Sequence, residues 1–160
     1  LQQVNLSELV ENEIRFFDFY LDFKHNVKKI LDLDGDLNDV AGSPADFSMF
    51  ISTWVRYAME AMRDSAVKEF FVSTARRNGH VVLKFQDTGR PMPAEVKEAI
   101  LKGRSGQELK DEGASRLLQA ISLVRKYDVR FEIDHEAGIN IFSVEVPCQS
   151  AGVRKKAARR

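Results

Sequence analysis

The sequence predicts an α+β domain, with helices packed on one face of a mixed, mainly antiparallel sheet of about five strands. Three observations carry this prediction. In "SPADFSMFISTWVRYAMEAM", Phe47, Ile51, Trp54, Val55, Ala58 and Met62 recur at helical spacing. In "VKEFFVSTARRNGHVVLKFQD", two β-rich runs flank Asn78-Gly79, the strongest short hairpin signal. "VRFEIDHEAGINIFSVEVP" is a second hairpin, turning at Glu136-Ala137-Gly138 and ended by Pro147. Hairpins mixed with long helices give two layers, one of sheet and one of helix.

In chain order, "NLSE" forms a capping box from Asn5 and Glu8 and opens a helix that runs to about Phe23. "VKKILDLD" reads as a strand and "GDLNDVAG" as a turn-rich connection. Ser43 is a good N-cap and Pro44 suits the first helical position, so the next helix starts there and continues to Met62. The first hairpin follows. Pro93 then opens the short helix "PAEVKEAIL", and the polar, glycine-punctuated stretch Lys102–Gly113 reads as a mobile loop. "ASRLLQAISLVRKY" is a helix with Leu117, Leu118, Ile121 and Val124 on its apolar side, and the second hairpin closes the domain. The expected three main helices thus cover the sheet.

A chain of 160 residues is expected to form one domain that buries roughly 70% of its unfolded surface. No apolar run approaches the roughly 20 residues needed to span a bilayer, and no targeting segment is expected. Cys148 is the only cysteine, which excludes an internal disulfide and suits a reducing cytoplasm. The formal charge is zero but unevenly placed: "RKKAARR" holds five of the 24 basic residues, leaving 19 against 24 acids in the 153 before it. Residues 1–148 are accordingly read as the domain and 149–160 as a basic tail or linker. A nucleic-acid module would carry its basic charge on a folded face among aromatics, and this chain does not.

Four segments resemble, in order, the motifs of sensor histidine kinase catalytic domains. "LDLDGDLNDVAGSPADFSMFISTWVRYAMEAM" is similar to the segment leading into and through the N box, and "FQDTGRPMPAEV" to the G1 box. "DEGASRLLQAISLVRKY" takes the place of the G2 box and its helix, and "AGINIFSVEVP" that of the final hairpin. Together they span about residues 4–147. The resemblance implies the Bergerat ATP-binding fold shared with gyrase, Hsp90 and MutL. It also implies that Asp87 accepts a hydrogen bond from the adenine amino group and that Gly89 lets the backbone approach the base.

Other positions depart from the family pattern. Tyr57 stands where an asparagine would coordinate magnesium, and a neutral phenol is a poor ligand for that ion. Thr53 stands one turn earlier, where a second asparagine is common, and Glu60 is expected to face elsewhere. Pro91 replaces the second G1 glycine, Ser115 and Leu117 replace G2 glycines and are expected to obstruct the phosphates, and the F box reads "ILKGRSGQ". The candidate nucleotide residues are therefore Asp87, Gly89, Tyr57, Arg90, Gly113 and Arg116, with no catalytic residue and no metal site assigned. ATP is expected to bind weakly at best, and magnesium is doubtful. His25, His80 and His135 are read as ordinary residues.

The implied function is that of a catalytic domain from a histidine-kinase-like signalling protein, degenerate at its nucleotide site and serving as a regulatory or docking module. A working kinase that transfers the γ-phosphoryl group to an upstream histidine is one alternative. A Bergerat-fold phosphotransfer or anti-sigma-type protein that needs no ATP is another. Upstream dimerisation and phosphoacceptor helices of the same protein are the expected partners, with a response regulator as a further one. Neither nucleic acid nor direct membrane contact is expected. The first helix adds Phe16, Phe19, Tyr20 and Phe23 to its core face of Ile14, Phe17 and Leu21, more than the usual ~100° stripe. Core packing is the first explanation, and a docking surface for an upstream helix or a second chain is the other.

Overall fold

The computed structural model describes residues 2–20, 26–36, 39–104 and 109–148. Among the described residues seven strands and four helices follow one another: β1 Gln2–Val4, α1 Leu6–Tyr20, β2 Lys28–Asp32, β3 Val40–Gly42, α2 Pro44–Met62, β4 Glu69–Arg77, β5 His80–Asp87, α3 Ala94–Lys102, α4 Glu112–Arg125, β6 Arg130–Glu136 and β7 Ile139–Pro147. Five strands form one sheet in the order β2-β4-β5-β7-β6. β2 runs parallel to β4, and every other pair is antiparallel. The predicted α+β class and strand number hold.

Both hairpins close through two-residue turns with positive φ at each central position. Asn78 and Gly79 lie at 52° and 76°, and Ala137 and Gly138 at 51° and 78°. Turns of this hand match the twist of the strands they join. The register then places Phe85 of β5 opposite both Val72 of β4 and Phe142 of β7. One step toward the open end, Asp87 lies opposite Phe70 and Asn140. Alternation sends Val81, Leu83, Phe85 and Asp87 to the helix side, while Lys84 and Gln86 point away.

A single core joins that side of the sheet to Val10, Ile14 and Phe17 of α1, Phe50, Trp54 and Val55 of α2, and Leu117, Ile121 and Val124 of α4. Its centre is aromatic: Trp54 stacks on Phe142 at 4.0 Å between centroids, and Phe50 meets Phe85 edge-on at 6.5 Å. Ser43 caps α2 by accepting the Asp46 backbone N–H, and Pro44 sits in the first turn, as the sequence predicts. Asp111 caps α4 by accepting the N–H of Gly113, so that helix starts two residues before the predicted one.

The connection read as turn-rich contains β3, which pairs with β1 in a small second sheet. Three-residue strands carry too little pattern to be read from sequence. The expected end of α1 near Phe23 lies outside the described residues, as do much of the expected mobile loop and the basic tail. Phe16 and Phe19 are 50% and 85% exposed, so the described part of α1 does present apolar surface outward. Among the described residues no helix is long and apolar enough to cross a membrane.

Candidate functional site

Asp87 ends β5 at the open end of the sheet, where the chain turns toward α3. It is 3% exposed, and its Oδ1 accepts two hydrogen bonds: from the Gly89 N–H at 2.9 Å and from Asn140 Nδ2 at 3.0 Å. Burial pushes the carboxyl above the usual carboxylate range, while the bonds from Asn140 and Gly89 pull it back down. Asn140 Nδ2 also donates to the carbonyls of Gly89 (3.1 Å) and Arg90 (2.9 Å). The amide oxygen therefore faces the other way, toward Nδ1 of His135 at 2.9 Å.

The loop after Asp87 is tied down on a second side. The Arg90 N–H donates to the Ala61 carbonyl of α2 at 3.0 Å, and Gly89 is buried against the same residue. A Cβ added at Gly89 would lie 2.7 Å from the Ala61 carbonyl carbon and 2.8 Å from its oxygen. Thr88 Oγ1 donates to the Val67 carbonyl and accepts the Glu69 N–H, and Ser65 Oγ donates to the Thr88 carbonyl. Helix, sheet and closing hairpin thus all grip residues 87–90.

Above Asp87 lies a cavity of about 120 Å³. Trp54, Tyr57, Ile133, Ile141, Phe142 and Met92 supply its apolar walls, and Arg90, Lys97, Asp134, His135 and Asn140 add polar groups. A volume near that of a benzene-binding cavity, roughly 150 Å³, holds one planar ring, whereas sites for drug-sized ligands run to roughly 300–1,000 Å³. The indole Nε1 of Trp54 is buried without a hydrogen-bond partner among the described residues. Burial, and secondarily the charge of Asp111, push the Tyr57 phenol up to about 12, so it stays a neutral hydroxyl.

The fold matches solved structures. The catalytic domain of histidine kinase ThkA superposes with a TM-score of 0.76 over 93% of this chain and 98% of that one, at 18% identity. The mycobacterial sensor histidine kinase MprB gives 0.70 over 92% of this chain and 99% of that one, at 12% identity. The chain has the fold of a histidine kinase catalytic domain. Full-length ShkA, solved in complex with AMPPNP, gives 0.69 over 94% of this chain but only 32% of that one, at 12% identity. No protein-family model and no curated protein sequence matches the chain.

Within this fold, Asp87, Tyr57 and Arg90 line one cavity. Gly89 lies just below it, and the approach that demands a glycine is made by the backbone of α2. Gly113 and Arg116 stand apart: the Gly113 N–H is used by the Asp111 cap, and Arg116 is exposed beside Glu112. Leu117 corrects the expectation that it obstructs phosphates. It is fully buried, because the apolar side of α4 turns it into the core. Ser115 donates to the Leu109 carbonyl instead of standing open. Glu60 pairs with Arg63 on the outer side of α2, as expected.

Asn140 and His135 are the site residues that sequence reasoning missed. Asn140 is the second residue of β7, close to the Ala137-Gly138 turn, where asparagine is ordinary, so no local signal marks it. His135 was read as ordinary, yet it reaches both the cavity and Asn140.

The buried carboxyl carries a pH prediction. The folded state holds the Asp87 proton more tightly than the unfolded chain, whose aspartates titrate near 3.9. Its contribution to stability therefore grows as pH falls through the folded value and is lost as pH rises through it. Asp87→Asn keeps an amide oxygen for both donors and removes the buried charge. At neutral pH the variant is expected to be at least as stable as wild type, with a flatter pH profile. Urea midpoints measured from about pH 4 to about pH 8 decide it, and a variant that is weaker at neutral pH with an unchanged profile contradicts it.

Proposed function

We propose that this chain is the ATP-binding-type catalytic domain of a two-component, histidine-kinase-like signalling protein whose nucleotide site has lost its phosphate half. It serves as a regulatory or docking module in the cytoplasm. One observation carries the reading: the Asp87 cavity has room for a single ring and is walled by Tyr57 at the N-box position.

The residues fit the implied ligands unevenly. A buried acceptor at Asp87 between the apolar walls of Trp54, Phe142 and Met92 suits an amino-bearing base. Magnesium needs several hard oxygen ligands. The cavity's carboxylates are Asp87, whose Oδ1 already takes two donors, and Asp134, and they stand beside a neutral phenol, Arg90 and Lys97. Among the described residues no three His, Cys, Asp or Glu side chains converge. Phosphoryl transfer works by positioning and charge stabilisation, so a site without its metal lacks a principal source of rate. Upstream dimerisation and acceptor helices of the same protein, and a response regulator, are the partners this reading calls for. Phe16 and Phe19 offer apolar surface for such docking.

Arg90 and Lys97 favour the second reading, a working kinase, since both could attract phosphate. Incubation with γ-labelled ATP, magnesium and a histidine kinase dimerisation and phosphoacceptor domain supplied in trans separates the two. No transfer of label to that domain above background is expected. Turnover that disappears in Asp87→Asn would establish the kinase instead.

A further inference from the structure

The geometry points to Asn140 as the residue that positions the Asp87 carboxylate: its side-chain amide donates to Oδ1 and bolts the 87–90 loop to the β6–β7 hairpin, while His135 donates to the amide oxygen. The inference deepens the reading above, resting on it only for the identity of the site. Its test reads the Asp87 carboxyl itself and involves no nucleotide.

The hydrogen bonds assign each role. Asn140 has two N–H groups, and three oxygens surround Nδ2: Asp87 Oδ1 at 3.0 Å, the Gly89 carbonyl at 3.1 Å and the Arg90 carbonyl at 2.9 Å. One N–H is therefore shared between two acceptors. A flipped amide would set its oxygen against these three acceptors, which is strongly unfavourable. With the oxygen directed at His135, Nδ1 of the imidazole must be the donor. The chain His135–Asn140–Asp87 thus runs from an exposed strand residue to a buried carboxyl within one hairpin and its neighbouring strand.

This arrangement fixes which oxygen the site offers. The Gly89 and Asn140 donors both use Oδ1, so a ligand that donates to Asp87 is directed to Oδ2. Asn140 is only partly buried, so its polar bonds rather than core packing set its role.

The charged and titratable groups facing Asp87 are Tyr57 on α2, Arg90 in the loop, Lys97 on α3, and Asp134 and His135 on β6. The test leaves all but His135 in place. The Asp87 carboxyl is followed by carbon-detected NMR titration in wild type, Asn140→Ala, His135→Leu and His135→Gln. In Asn140→Ala the carboxyl is expected to titrate at higher pH than in wild type, and the amides of Gly89 and Arg90 to exchange about tenfold faster, as loss of one net hydrogen bond implies. His135→Leu, which removes the donor to the amide oxygen, should move the titration the same way but by less. His135→Gln, which keeps a donor, should move it less still. A spectrum with native dispersion establishes that each variant is folded. An Asp87 titration in Asn140→Ala that coincides with wild type overturns the proposal.

Discussion

Replacing Gly89 by alanine is expected to destabilise the domain by about 2–3 kcal/mol. The added Cβ would stand 2.7 Å from the backbone of Ala61, and backbone inside α2 cannot rotate away as the end of a side chain can. Either the loop or the end of α2 must shift. A shift of the loop strains the Arg90–Ala61 bond at 3.0 Å and the Asn140–Gly89 bond at 3.1 Å, so the loss is not confined to one contact. Gly35→Ala provides the control, because nothing lies within 4 Å of its added Cβ, and it should stay within about 0.5 kcal/mol of wild type. Urea denaturation of both variants measures the difference. A Gly89→Ala midpoint equal to that of the control would mean that the loop is not packed against α2.

What the sequence made legible was local. The two hairpins were readable because a two-residue turn with Asn-Gly or Ala-Gly fixes its own register, and α2 because its cap and apolar period agree. Asp87, Tyr57 and Arg90 could be gathered into one site because their motifs keep family order. The misses share a cause, which is dependence on pairing between distant segments. Nothing in the 53 residues that separate Asp87 from Asn140 announces that they face each other across β5 and β7. The same holds for Gly89, whose partner Ala61 belongs to another element, and for the short β1–β3 pair. Leu117 shows a different error. Placing it by motif position set aside its helical period, which already turned it into the core.

That distinction bears on how the domain is expected to behave with nucleotide. The ring-sized half of the site is gripped by three elements and keeps its buried acceptor. The half that would hold phosphates offers a neutral phenol held at about 12 beside two cations. Adenine contacts alone supply few charge-assisted bonds, and those are the strong ones. Calorimetric titration with ATP, in the absence and presence of magnesium, tests the central claim most directly. The account predicts an affinity no tighter than about 1 mM, worth about −4 kcal/mol, and no gain on adding magnesium. Binding near 1 μM that strengthens with magnesium, about 4 kcal/mol better, would contradict it and restore a working kinase site.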